Sequence, residues 1–385
     1  MGIIHALFFI KMKKIKVLFT IPNFDSAGSG KALLNIAEGL DKEQFEPHIL
    51  CLHKRGVFFE TVEKSGIPVH VFNYLPCEVP LWKMLFQCFV VARKFRKINP
   101  TIIHSFNYSS NYTEGLSARI AGIKWVFTKK NMSWGGGSKR YWELRSYFAT
   151  KIAVQNSDMI KQFYSESKKT FLLPRGVAAS KFAPSFPKEE IRNTMNTSLD
   201  KRIIICVANF VPVKGIELLI EAFDSLKNQY PNWIVWLIGD TNNEYGIELL
   251  ELVKSKQLVD KIVFSGKKSN VVDYLNHAEI FVLPTKDEGR REGTPVAMLE
   301  AMANSKVVIG SAIPGINDQL QNFPNHLFEA ANTNDLKNKL ELFMKNSTEE
   351  NKIIGQQFKN LVESEFTIEN EIRNHELLYL SILKK

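Results

Sequence analysis

The chain has 385 residues, 45% of them apolar and 23% charged, with a formal net charge of +10. Two or three soluble α/β-sized domains are expected from that length, and no apolar run approaches the roughly 18–20 residues of a membrane-spanning helix. Four cysteines, Cys51, Cys77, Cys88 and Cys206, show no Cys-x-x-Cys spacing, so they read as reduced, buried thiols, which excludes a disulfide framework and a zinc site.

The chain opens on a short apolar stretch, "MGIIHALFFI", with no basic n-region and no small-residue cleavage site. It does not read as a secretory signal. "MKKIKVLFTI" from Met12 is the more natural start, and residues 1–11 read as an upstream extension or a weak surface anchor. Strand patterns follow at 16–21, 47–52, 69–72, 101–105, 125–128 and 151–154, alternating with helical patterns such as 31–40 and 82–97. Between the first strand and the first helix stands "SAGSGKALLNIAEGL" (26–40). It looks like a phosphate loop, but a P-loop requires G-x-x-x-x-G-K-[ST]. Asp25 stands five positions before Gly30, and Ala32 follows Lys31 where a magnesium-binding hydroxyl belongs. A nucleotide hydrolase is therefore not expected, and Gly28 and Gly30 need another explanation.

A Pro-rich, polar stretch, "FAPSFPKEE" (182–190), reads as a linker. A second series follows, with strands at 203–208, 233–239, 261–266, 280–284 and 306–310. Its helices lie at 215–228, 246–257, 271–277, 294–303 and 335–346, with a last helix near 368–382. This alternation predicts βαβ units and an α/β fold class: two Rossmann-like, doubly wound domains facing across a cleft. The first spans residues 1–182 and the second 183–367, while 368–385 forms a C-terminal helix expected to cross back to the first domain. Open α/β sheets bind ligands at the carboxyl ends of their strands. Charge is uneven: residues 1–185 hold 27 Lys+Arg and 12 Asp+Glu, a net +15, and residues 186–385 hold 23 and 28, a net −5. The basic half either faces an anionic partner or is simply a solvated basic surface. Its positive residues are scattered and accompany no recognition motif, so no nucleic-acid partner is expected.

Two segments carry chemistry. In "PTKDEGRREGTPVAMLEAMANSKVVIG" (284–310), Thr294 reads as a helix N-cap and Pro295 as the first helical residue. Backbone N–H groups near 294–296 then point out of a helix start, an end that attracts phosphate. Glu292 lies just before that helix and Glu300 two turns into it; ionised carboxylates are strong acceptors for sugar hydroxyls. A capped surface helix with solvated glutamates is the plain alternative. In "CVANFVPVKGIELLIEAF" (206–223), Lys214 follows a strand and precedes a helix, a position suited to a diphosphate but equally open to an ordinary surface lysine.

Together these segments resemble the retaining glycosyltransferases of family 4, which have the GT-B fold. The resemblance rests on Glu, seven residues, Glu in "EGTPVAMLEAMA" (292–303), on "VPVKG" (211–215), on "GD" (239–240) and on "FVLPT" (281–285). In the first half it rests on "IIHSFN" (102–107), "TKKNMSWG" (128–135), "VQNSDMI" (154–160) and "LLPRGVAASKF" (172–182). It runs from about residue 13 to about residue 380. It implies a nucleotide-sugar donor, UDP- or GDP-linked, held mainly by the C-terminal domain as a substrate rather than a cofactor; no Asp-x-Asp motif stands in a plausible place, so no metal is expected. Glu300 would hold the ribose hydroxyls, Glu292 would lie against the donor sugar, and Lys214 would neutralise the diphosphate. Gly293, Thr294, Pro295 and Val296 would frame the donor at the helix start, and Gly28 and Gly30 would let a glycine loop come close to it. Asn209 stands where the family usually has an arginine, Lys130 and Asn131 near where it often has a histidine, Arg175-Gly176 for Asn-Gly, and Asn317-Asp318 for an acidic residue. His104, Lys130 and Asn131 are the acceptor-side candidates, although a histidine near a strand end is more often structural than catalytic, and "WGGGSKRYWELR" (134–145) reads either as an acceptor loop or as a disordered surface loop.

The activity so implied is transfer of a sugar to a glycan or lipid-linked acceptor in surface polysaccharide biosynthesis. A catalytically weak nucleotide-sugar-binding assembly protein is the alternative, and Asn209 is the feature that favours it. "WKMLFQCFVVARKFRKINP" (82–100) mixes aromatic and basic residues; it reads either as a face resting on anionic lipid or as an ordinary helix with a basic outer side. The expected location is cytoplasmic, peripheral on the inner face of the plasma membrane.

Overall fold

A computed structural model describes residues 14–25, 27–77, 79–134, 138–185, 188–289 and 292–384. The extension at 1–11, the glycines 135–137 of the expected acceptor loop, and residues 186–187 of the expected linker lie outside the described residues. Short, β-branched and aromatic runs form two parallel sheets. The first contains β1 (Ile15–Thr20), β2 (Phe45–Cys51), β3 (Val69–Val71), β4 (Ile102–Ser105), β5 (Lys124–Lys129), β6 (Lys151–Val154) and β7 (Thr170–Leu172), ordered β3-β2-β1-β4-β5-β6-β7. The second contains β8 (Arg202–Val207), β9 (Trp233–Ile238), β10 (Ile262–Gly266), β11 (Ile280–Leu283), β12 (Val307–Ser311) and β13 (Leu327–Phe328), ordered β10-β9-β8-β11-β12-β13. In each sheet the order reverses beside the first strand, between β1 and β4 and between β8 and β11. That switch point opens a crevice at the carboxyl ends of the strands.

Contacts divide the chain into two compact units. Met1–Thr128, Trp134–Ala153 and Ile372–Lys385 form one; Lys129–Ser133 and Val154–Glu371 form the other. The division falls at 153/154, whereas the sequence pattern put it at 182/183. The reason is packing: Asn156 donates to the Gly293 carbonyl at 2.7 Å, and the Ser157 N–H and hydroxyl reach Asp318 at 2.6 and 2.8 Å. The stretch read as a linker is also tied down, since Asn304 donates to the Phe182 carbonyl at 2.8 Å and Lys188 pairs with Asp273 at 2.9 Å.

The second unit shows why its strands read as continuous apolar runs. Alternate residues point to opposite faces, and both faces are covered. Ile204, Cys206, Val235, Leu237, Val282 and Ile309 pack under helices Ile216–Asp224, Glu244–Ser255 and Thr333–Met344. Ile203, Ile205, Trp236, Phe281 and Val308 pack under helices Val296–Ala303 and Thr348–Glu365. The last of these helices, with β7 and β13, is absent from the expected element list. Its start was legible, because Ser347 and Glu350 form a reciprocal capping box. Cys51, Cys88 and Cys206 are buried, but Cys77 is exposed, so one thiol departs from the expectation. Among the described residues no helix is long and apolar enough to cross a membrane.

Candidate functional site

In the second unit, β8 ends and the chain turns through a single 3₁₀ turn, Pro212–Lys214, before helix Ile216–Asp224. Gly215 makes this possible at φ 61°, and a Cβ there would lie 2.3 Å from the Pro284 carbonyl oxygen. The helix start is secured because the Ile216 N–H donates to the Tyr245 hydroxyl at 2.9 Å. That hydroxyl in turn donates to Glu217, and burial with this carboxylate pushes the Tyr245 pKa up. The result fixes Lys214 at the carboxyl end of the sheet.

The Lys214 ammonium contacts Glu292 Oε1, and the Thr285 hydroxyl donates to the same oxygen at 3.2 Å. A cavity of about 310 Å³ opens beside this pair, with Ala208, Asn209, Asp240, Thr294 and Val296 among its walls. A second, of about 600 Å³, shares Asn209, Lys214, Glu292 and Thr294 and adds Lys130, Asn131 and Gly293. Asn209 is exposed at the junction of the two.

Helix Val296–Ala303 begins one residue later than the sequence pattern implies. Pro295 is the N-cap residue, and Thr294 does not cap: its hydroxyl donates to the Gln155 carbonyl at 2.9 Å. The first N–H groups of the helix still lack intrahelical acceptors, as at any helix start. Gly293 is demanded by close approach, since a Cβ would lie 2.2 Å from the Lys130 carbonyl oxygen and 2.3 Å from Gln155 Oε1. Glu300 does not line either cavity. It is half-buried, one turn beyond the lining residues Val296 and Ala297 on the same helix face.

Two expectations change. Gly28 and Gly30 lie in the first turn of helix Ala27–Gly39, not in a loop. Gly28 is open, with nothing within 4 Å of a built Cβ, but Gly30 is a packing glycine, its Cβ position 2.8 Å from the Phe24 ring. His104 is fully buried; its ring nitrogens sit 2.8 Å from the Tyr379 hydroxyl and 2.9 Å from Thr128 Oγ1. It is a structural histidine and cannot touch an acceptor. Asn131 lines the larger cavity, but its side-chain oxygen accepts from the Ser133 N–H and hydroxyl at 3.1 Å.

Other residues escaped the sequence reading. Lys267 and Lys268 line the smaller cavity. Lys129, at the end of β5, donates to the Asn131 carbonyl at 2.6 Å and to that of Ser133, and stands 4.4 Å over the Phe163 ring. Burial pushes its pKa down to about 7. In the first unit, Ser105 donates at 2.7 Å to Glu114, and Arg145 reaches Ser105 Oγ at 3.2 Å. Burial pushes the Glu114 pKa up. A lysine or glutamate in these places has no local sequence signature, because only the fold buries it.

Comparison with known proteins fits this arrangement. The sequence model described as Glycosyl transferases group 1 matches residues 187–360, and that described as Glycosyltransferase Family 4 matches residues 26–181. The Capsular polysaccharide biosynthesis glycosyltransferase CapH of Staphylococcus aureus is 23% identical over 333 residues, 82% of this chain and 86% of the relative. The N,N'-diacetylbacillosaminyl-diphospho-undecaprenol alpha-1,3-N-acetylgalactosaminyltransferase of Campylobacter jejuni is 24% identical over 311 residues, 74% of this chain and 79% of the relative. Among solved structures, Anabaena Alr3699/HepE in complex with UDP and glucose has a TM-score of 0.78 at 17% identity, covering 94% of this chain and 99% of that one. With family matches in both halves, two switch-point sheets and this fold likeness, the chain belongs to the GT-B glycosyltransferases of the family 4 type.

Proposed function

We propose that this glycosyltransferase moves a sugar from a UDP- or GDP-linked donor, with retention of anomeric configuration, onto a glycan or lipid-linked acceptor in surface polysaccharide assembly. The observation that carries the reading is that Lys214, Glu292, Asn209 and the start of helix Val296–Ala303 meet on one cavity wall. Breaking the bond from the sugar C1 to the diphosphate builds positive charge on the sugar and negative charge on the leaving phosphate. The Lys214 ammonium and the helix-start N–H groups stabilise that negative charge. Glu292 takes the donor sugar hydroxyls and Glu300 the ribose hydroxyls. The acceptor oxygen bonds to C1 on the face the phosphate leaves, and its proton passes to the departing phosphate oxygen. Lys130 and Asn131, on the larger cavity, flank the transferred sugar or the acceptor. These groups supply the charge that a bound metal would, so the reading routes no step through a metal or a cofactor.

The Campylobacter relative is named for an N,N'-diacetylbacillosaminyl-diphospho-undecaprenol acceptor, which supports a lipid-linked acceptor here. A thermal-shift screen across nucleoside diphosphates and their sugars tests the donor, because a ligand that binds only the folded form raises Tm. No shift with any of them overturns the reading. Asn209 favours a second reading, a binding partner with little activity, since this junction residue carries no charge for the leaving group. Donor binding without transfer to any acceptor would select it.

A further inference from the structure

Helix Leu81–Ile98 presents a surface that neither the donor site nor the fold uses. Its inner face is filled by Met84, Cys88, Val91, Ala92 and Phe95, all buried. The opposite face follows the spacing 82, 86, 89, 93, 97, one stripe of a helix. Trp82, Phe86 and Phe89 are 73%, 68% and 57% exposed. Three exposed aromatic rings on two successive turns form an apolar patch that a water-facing surface does not need.

The stripe changes character along its length: after Phe89 it continues as Arg93 and Lys97, both exposed. The helix contains no acidic residue, and among the described residues neither cation is paired with a carboxylate. Lys94 and Arg96 are differently engaged, Lys94 over the Phe72 ring at 4.7 Å and Arg96 on the Ala121 carbonyl at 3.4 Å. The free end of the stripe is thus aromatic first and cationic second, which matches the acyl boundary and the anionic headgroups of a bilayer.

We infer that the outward face of helix Leu81–Ile98 docks on an anionic lipid surface, with Trp82, Phe86 and Phe89 entering the interface and Arg93 and Lys97 held by headgroup phosphates. This names the surface by which the first unit would meet a lipid-linked acceptor and rests, for its purpose, on the proposed function; the docking itself does not.

The test is co-sedimentation of the full chain with phosphatidylcholine vesicles, with and without phosphatidylglycerol. Binding should require the anionic lipid and weaken as salt rises. The triple variant Trp82→Ser, Phe86→Ser, Phe89→Ser and the double variant Arg93→Glu, Lys97→Glu should each weaken it about tenfold or more. Both should keep the wild-type Tm and nucleoside diphosphate binding. Tryptophan emission should shift to the blue on vesicles, and Trp82→Phe should remove the shift while keeping the binding. Wild-type vesicle binding by either multiple variant overturns the inference. So does loss of self-association in the triple variant with vesicle binding unchanged, which assigns the face to a second copy. Vesicle binding with no transfer from any donor overturns the proposed transfer and leaves the docking face standing.

Discussion

Replacing Lys214 with alanine removes the ammonium assigned to the leaving diphosphate. One unit charge about 4 Å from a phosphate, at an effective dielectric constant near 20, contributes about 4 kcal/mol before desolvation. Net charge-assisted hydrogen bonds retain about 1.5–3 kcal/mol of such an interaction, so nucleoside diphosphate affinity should fall roughly 10- to 150-fold. Turnover should fall further, about 10²–10³-fold, because the phosphate gains charge in the transition state. Calorimetric titration of UDP and GDP against uridine and guanosine isolates the effect: the diphosphates lose affinity and the nucleosides do not. The substitution also strips Glu292, a side chain only 14% exposed, of its cation. Adding Glu292→Gln should therefore recover Tm but not diphosphate affinity. Unchanged diphosphate binding in Lys214→Ala, or an equal loss for the bare nucleosides, refutes the assignment.

Glu300→Ala should cost at least tenfold in donor affinity and abolish the preference for ribose over 2′-deoxyribose diphosphates; equal losses for both sugars sink the ribose role. Gly293→Ala should lower stability by about 1–3 kcal/mol, because the added methyl meets the Lys130 carbonyl at 2.2 Å and backbone cannot swing aside; an unaltered Tm would contradict that packing. His326 lies between the Phe343 and Phe358 rings with Nδ1 2.8 Å from the Val308 carbonyl oxygen, and burial pushes its pKa down to about 4. The unfolded chain takes up this proton near pH 6.5 and the folded chain does not. Its contribution is therefore complete above pH 6.5 and is lost as pH falls towards 4, by up to about 3 kcal/mol. Urea midpoints across that window should slope less in His326→Gln, and an identical slope would remove His326 as the cause.

The parts of this protein legible in one dimension are those governed by local periodicity. Buried parallel strands such as Ile203–Ile204–Ile205 need apolar side chains on both faces, so β8, β9, β11 and β12 appear as unbroken runs. The seven-residue gap between Glu292 and Glu300 is likewise visible, because both flank one helix start. Short edge strands such as β13, two residues long, leave no such trace.

Side-chain purpose is decided elsewhere. Lys214 and Glu292 stand 78 residues apart and meet only because β8 and β11 are neighbours in the sheet. Thr294 reads as a cap from its neighbours, yet Gln155, far away in the chain, claims its hydroxyl. His104 and Gly30 sit in motif-like surroundings, but Tyr379 and Phe24 turn them into packing residues. Backbone preference is a property of a few adjacent residues and is written into the sequence itself. Burial and partnership depend on chain segments that only folding brings together, and they decide which of several chemically able residues is left facing a ligand.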